Sequence, residues 1–473
     1  MTSFGLPDPR KQVAPVMGQL TGMRRWLEKR FADLVAECQV PGAAVAVTAE
    51  GGLVEAAAGV LSRRTGVEVT PDSVFQIGSV AKVWTATLVM QLVDEGLVDL
   101  DVPVRTYVPN FRVADDDASE TITIRHLLCH TAGFEGDYYP GTHGGAAETL
   151  QRYVESVLPN LPQYFAPGEM WSYSTAGFDV LSRVVEVLRN MPYADALRHH
   201  LVSPLGSGQF ASCADEAILF RAAVGHVPTG PDGPAEPVTT WAQPCWPNGG
   251  LAMSAQTMLG IAQLQLRNGL AADGSRLLSA DAAAEMTQPQ VEQPRLGTSV
   301  SWHGLGWMVH EWEGREVLGH TGGTVGQHSF LWIVPDCDVA VALLTNGGDA
   351  GKLHNDLWTL VLADLTGLRP PPALVPPTKL EPVRNPERYI GCYQLFQRSV
   401  ETVLADGAGK LWLVNAADDE RAELAHVEGD LFAALNPSGQ VTRAVMFLGA
   451  DENHQAAYLH SGEAAPRVAT APG

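Results

Sequence analysis

Seven prolines (Pro370, Pro371, Pro372, Pro376, Pro377, Pro382 and Pro386) crowd into residues 369–386 and divide the chain. Proline lacks a backbone donor and holds a fixed φ, so a segment this dense in it reads as an extended, semi-rigid linker. The expected domains are therefore residues 1–368, a linker over 369–386, and a small second unit over 387–473. With 473 residues in all, two cores are affordable.

The two parts differ in their patterning. Before the linker, residues 22–38 carry Met23, Trp26, Leu27, Phe31, Leu34 and Val35 at helical spacing. Ala43 to Thr48, the Gly51-Gly52 turn and Leu53 to Val60 read as a hairpin, and Ser79 to Glu95 as a helix. Strands return at Trp307 to Trp312, Arg315 to Gly319, Ser329 to Val334 and Asp338 to Thr345. Strands at both ends with helices between predict an α+β layered fold, its sheet built from distant parts of the chain. After the linker come short strand candidates at 388–394, 400–405, 411–414, 422–427, 431–435, 443–448 and 455–460. Turn chemistry at Asp406-Gly407, Glu428-Gly429-Asp430 and Pro437-Ser438-Gly439 separates several of them. That pattern predicts a small antiparallel barrel or sandwich, with a frayed tail from Glu463.

Composition removes several classes of function. Apolar residues make up 45% and charged residues 18%, as in an ordinary globular protein. The formal net charge of -22 repels phosphate backbones and anionic lipid, so neither nucleic acid nor a membrane is an expected partner. Cys38, Cys129, Cys213, Cys245, Cys337 and Cys392 are too scattered for a zinc or redox pair and read as reduced, mostly buried thiols. No metal and no cofactor is expected. The first residues lack the apolar run of a secretory signal, and nothing approaches the roughly 20 apolar residues that span a bilayer, so the expected location is cytoplasmic.

The chemistry centres on Phe75-Gln76-Ile77-Gly78-Ser79-Val80-Ala81-Lys82. A serine hydroxyl is a weak nucleophile until a base takes its proton. Three residues on, Lys82 lies one helical turn away on the same face, and Lys82 is the chain's only lysine with a serine in that position. Alone, such a pair reads as an ordinary surface helix. Here it is followed by Thr123-Ile124-Arg125-His126-Leu127-Leu128-Cys129-His130-Thr131-Ala132-Gly133, by Pro167-Gly168-Glu169-Met170-Trp171-Ser172-Tyr173-Ser174-Thr175, by Gly249-Gly250-Leu251, and by Gly319-His320-Thr321-Gly322-Gly323.

That order resembles the serine β-lactamase and penicillin-binding-protein family, in its class C-like branch of esterases, D-amino-acid peptidases and transacylases. The resemblance covers about residues 20 to 365, and the C-terminal unit resembles the lipocalin-like domain of some members. It implies a β-lactamase-like sheet flanked by helices with an all-helical subregion, followed by a small barrel. It implies that Ser79 is acylated, that Lys82 relays its proton, and that Tyr173 is partner base and protonates the leaving group. Two flanking cations, Lys82 and His320, would favour the tyrosinate. His320-Thr321-Gly322 matches the Lys-Thr-Gly strand, and the backbone amides of Ser79 and Gly323 would form the oxyanion hole. Thr175, Thr321 and Gly322 would contact substrate. The family's Asn is Thr175 here, which counts against β-lactam recognition.

Other residues read more plainly. His126 and His130 are expected to be structural, and Gly249-Gly250 to serve a turn. Gly141 to Gly145 reads as a mobile loop. Trp241, Trp246, Trp302 and Trp307 are core formers by default, with a substrate cleft as the alternative. The function expected is a hydrolase for a small-molecule ester or amide. The alternatives are a biosynthetic transacylase or cyclase passing the acyl group to an amine or alcohol, and a non-catalytic binding or sensor domain.

Overall fold

A computed structural model describes residues 16–49, 51–139, 146–230, 233–241, 247–377, 382–416 and 421–469. The larger unit is an α+β domain around one antiparallel sheet. Its eight strands run in the order Gly52–Gly59, Gly42–Ala49, Val339–Thr345, Gln327–Val334, Arg315–Thr324, Met308–Trp312, Ser301–His303 and Val291–Glu292. The predicted hairpin and the four later strands are all present. The strand expected to stop at Gly319 continues to Thr324 and carries His320 to Gly323 with it.

The sheet is covered on both faces, and the period-2 alternation of its strands assigns residues to each. Ala44, Ala46, Leu331, Ile333, Ala340, Ala342 and Leu344 point into the larger core. Ala43, Val45, Val47, Trp332, Val334, Val339, Val341 and Leu343 point into the other. Helix Val16–Glu37 closes that second face with Met23, Leu27, Phe31, Leu34 and Val35, aided by Leu353, Leu357, Trp358 and Val361 of helix Ala350–Leu365. Fully burying each large apolar side chain contributes roughly 1.5–3 kcal/mol. In the larger core, helix Ala81–Asp94 is buried on nearly all sides, which explains a sequence with almost no polar face.

The C-terminal unit is a closed eight-stranded antiparallel barrel, from Gly391–Tyr393 to Ala464–Val468. Closure comes from Cys392 pairing with Val468 and Tyr393 with Arg467. The tail expected to fray from Glu463 is thus the closing strand. Its sequence, Ala-Ala-Pro-Arg-Val, is short and contains Pro466, so its strand character comes from its two neighbours rather than from propensity. Tyr393, Leu413, Phe432, Phe447 and Leu459 fill the interior. The linker is extended as expected but not free of contacts: Thr298 donates to the Pro372 carbonyl at 2.7 Å, and Leu374 packs against the barrel. Among the described residues, Cys38 and Cys129 are buried thiols and Cys213, Cys337 and Cys392 are partly exposed, fewer buried than expected; Cys245 lies outside the described residues. No described helix is long and apolar enough to cross a membrane.

Candidate active site

Ser79 sits in a single 3-10 turn, Gly78–Val80, which leads directly into helix Ala81–Asp94. The early amides of such a start have no intrahelical acceptor, so they can face a developing oxyanion. Gly78 has φ +49, and a Cβ there would lie 2.7 Å from the Gly323 amide nitrogen. Gly322 fits equally tightly, since a Cβ on it would meet the Ile77 carbonyl at 2.1 Å and the Ser79 nitrogen at 2.9 Å. Ser329 donates to the Ile77 carbonyl at 2.6 Å. The two glycines therefore let strand Arg315–Thr324 lie directly on the Ser79 turn.

Lys82 is fully buried, and its Nζ lies 3.1 Å from Ser79 Oγ and 3.3 Å from Thr175 Oγ1. The same nitrogen stands 4.9 Å from the Tyr173 ring centre and 5.8 Å from that of Phe178. Thr175, at the position where the family has Asn, is thus engaged with the lysine. It opens helix Thr175–Arg189, which Ser174 caps by accepting from the Gly177 amide.

His320 is fully buried, with its ring centre 6.4 Å from that of Tyr173. Its Nδ1 donates to the Thr321 carbonyl at 2.8 Å, which leaves Nε2 as an acceptor with no protein partner. Burial, followed by the neighbouring Lys82, pushes its pKa down to about 3. The expectation of a second cation beside Tyr173 is therefore corrected. A solvent-free imidazole next to a lysine stays neutral, leaving Lys82 as the basic group at that ring.

The backbone of Tyr173 is held from two sides. His130 accepts the Ser172 amide on its carbonyl at 2.9 Å and the Ser174 amide on Nδ1 at 3.0 Å, and its ring lies 4.5 Å from that of Tyr173. From the barrel, the Gly462 carbonyl accepts the Tyr173 amide at 3.0 Å. Ser172 Oγ accepts from the Ala464 amide, also at 3.0 Å, and His460 Nε2 donates to the Trp171 carbonyl.

The structure brings Ser79, Lys82, Tyr173, Thr175, His320, Thr321, Gly322 and Gly323 together. It also shows Asp179, which the sequence reading passed over. This fully buried carboxylate accepts from Tyr139 at 2.7 Å and from Asn248 at 2.8 Å, and burial pushes its pKa up to about 6. A lone acid in the apolar run Phe178-Asp179-Val180-Leu181 was the signal that could have found it. His126 closes a capping box with Thr123 at helix Ile124–Leu128, a structural role as expected. Trp307 is core, Trp302 is partly buried, and Trp241 donates to the Gly250 carbonyl; Trp246 and Gly141 to Gly145 lie outside the described residues. Among the described residues, no group of three or more His, Cys, Asp or Glu side chains could hold a metal ion.

Known proteins are similar to this chain. The family described as Beta-lactamase matches residues 27–366. Penicillin-binding protein 4 of Amycolatopsis lactamdurans is 42% identical over 365 residues, covering 75% of this chain and 94% of that protein. Esterase EstB of Burkholderia gladioli is 36% identical over 199 residues, or 38% of this chain and 49% of its own. The crystal structure of SurE superposes with a TM-score of 0.78 at 28% identity, covering 96% of this chain and all of SurE, barrel included. A second structure of it, with D-Leu, gives a TM-score of 0.72. On the extent of these matches, the chain belongs to the beta-lactamase family of serine hydrolases.

Proposed function

We propose that the chain is an acyl-enzyme hydrolase for an ester or amide of a small metabolite, with Ser79 as nucleophile and water as the final acceptor. The observation that carries this reading is the buried Lys82 amine 3.1 Å from Ser79 Oγ. Lys82 takes the hydroxyl proton as Oγ attacks the acyl carbon. Tyr173 passes a proton to the departing alcohol or amine, and water then releases the acid. The amides of Ser79 and Gly323 hold the oxyanion. Thr175, Thr321 and Gly322 border the acyl group, and neutral His320 offers Nε2 as an acceptor. In this reading residues 1–368 form the catalytic domain, 369–386 the linker and 387–473 the barrel, and the enzyme meets its metabolite in the cytoplasm.

Transfer to an amine is the second reading. It is favoured by the full-length likeness to SurE, whose second structure contains D-Leu, a molecule bearing an amine. Intact-protein mass spectrometry after a fluorophosphonate, with p-nitrophenyl acetate turnover in the presence and absence of amines, separates the two. A single adduct lost in Ser79→Ala, with product formed from water alone, is the expected result. Amine-dependent product would move the assignment to transfer. No adduct at all would overturn the nucleophile. Benzylpenicillin turnover is expected to be poor, because Thr175 cannot offer an amide to an acylamide side chain, and efficient turnover would refute that point.

A further inference from the structure

Arg398 belongs to the barrel, in the loop between strands Gly391–Tyr393 and Glu401–Ala405. Its guanidinium forks onto Glu463, with Nη1 2.7 Å from Oε2 and Nη2 3.0 Å from Oε1. The same Nη2 reaches Asp137 at 3.2 Å and Glu135 at 3.7 Å. Two loops are tied by this one side chain. Each carries, beside its carboxylate, a glycine whose carbonyl holds the active-site backbone. Gly462 accepts the Tyr173 amide at 3.0 Å, and Gly136 accepts the Thr175 and Ala176 amides at 2.8 Å each. Gly136 has no room to yield, since a Cβ there would lie 2.7 Å from the Tyr173 carbonyl.

We infer that Arg398 is a positioning residue for catalysis, locking the Gly136 and Gly462 carbonyls in the places that fix Tyr173 and Thr175 around Lys82. A bidentate, charge-assisted pair sets both distance and plane, which a single lysine-like contact does not. Without the guanidinium, Glu135, Asp137 and Glu463 repel one another across the gap, and the two loops separate. The candidate proton carrier then drifts although the Ser79–Lys82 pair, held by its own helix, stays intact. Arg398 touches no reacting atom in this account.

The inference rests on Tyr173 carrying a proton in the proposed reaction, and a double-mutant cycle on the full chain keeps the two apart. The probe is p-nitrophenyl acetate, read as kcat and KM for the unaltered chain, Arg398→Ala, Tyr173→Phe and the double variant. Arg398→Ala is expected to lower kcat by about 10- to 100-fold, the scale of a misplacement near 1 Å, with KM within about twofold. In the Tyr173→Phe background the same change is expected to cost almost nothing, and fluorophosphonate still labels Ser79 in Arg398→Ala. Equal losses in both backgrounds would overturn the positioning role while leaving Tyr173 in place. Full activity of Tyr173→Phe would overturn the proton-carrier reading, and the Arg398 assignment with it. If Arg398→Ala does not fold, Glu463→Gln, which removes the forked acceptor at nearly constant volume, supplies the same cycle.

Discussion

Gly322→Ala tests the contact between the sheet and the nucleophile turn. The new Cβ would lie 2.1 Å from the Ile77 carbonyl oxygen, 2.5 Å from Ser329 Oγ and 2.9 Å from the Ser79 nitrogen. Ordinary contact begins near 3.4 Å, so the strand and the turn must part by about 1.3 Å. Ser329 can rotate, but the Ile77 carbonyl and the Ser79 amide are backbone and can move only with the turn. Overpacking of this kind costs about 1–3 kcal/mol of stability. The larger effect falls on catalysis. The Gly323 amide leaves its place beside the Ser79 amide, and loss of one oxyanion donor lowers kcat by about 10²–10³, or about 3–4 kcal/mol. Gly351→Ala, on helix Ala350–Leu365 away from the site, is the control, because a Cβ there meets only Asp349 Oδ1 at 3.8 Å. Turnover of p-nitrophenyl acetate, alongside thermal unfolding, reads both. A Gly322→Ala enzyme with kcat within threefold of the unaltered chain, or a Gly351→Ala enzyme equally damaged, would refute the reasoning.

Two further outcomes follow from burial and from barrel closure. His320 and His460 are fully buried and titrate at about 3 and about 4 when folded, against 6.5 when unfolded, so the unfolded chain binds their protons first and stability falls as pH drops below 6.5. At pH 5 each costs about 2 kcal/mol. Asp179, raised to about 6 when folded, works in the opposite sense by about 1 kcal/mol, while partly buried His310 and His354, both lowered to about 4, and His130 and His303, lowered well below the usual range, add to the loss, so stability falls from pH 7.5 to pH 5. An unchanged urea midpoint between those pH values would contradict this. Deleting residues 463–473 is expected to open the barrel and expose it to protease, because Ala464–Val468 pairs with both Gly391–Tyr393 and Tyr458–His460. Unaltered protease resistance would show that the closing strand is dispensable.

What could be read from the sequence was whatever a short window encodes. The Ser79 turn, the apolar, β-branched and aromatic runs of Gln327–Val334 and Val339–Thr345, and the turn residues of the barrel each carry their own signal. Strand Ala464–Val468 does not, since alanine and proline disfavour strands and only its neighbours make it one. The neutral state of His320 was also hidden, because burial and the Lys82 distance exist only after folding. The same holds for the Gly462 contact with Tyr173, which joins positions far apart in the chain. Asp179 was visible as an acid in an apolar run, but its partners Tyr139 and Asn248 were not.

The strand order of the large sheet bears on how the chain is made. Gly42–Ala49 is the first strand of that sheet to be synthesised, yet one of its two partners, Val339–Thr345, is among the last parts of that domain to be made. Pairing of such high sequence separation is slow, since a long loop must close before any contact repays it. Until then the strand lacks one neighbour, and its valines and alanines lack cover, a state in which nascent chains depend on chaperones. Helix Ala81–Asp94 is likewise made long before strand Arg315–Thr324 arrives to lie on the Ser79 turn. The nucleophile therefore exists early as sequence but becomes a catalytic site late, and a prematurely terminated chain carries the serine without the means to use it.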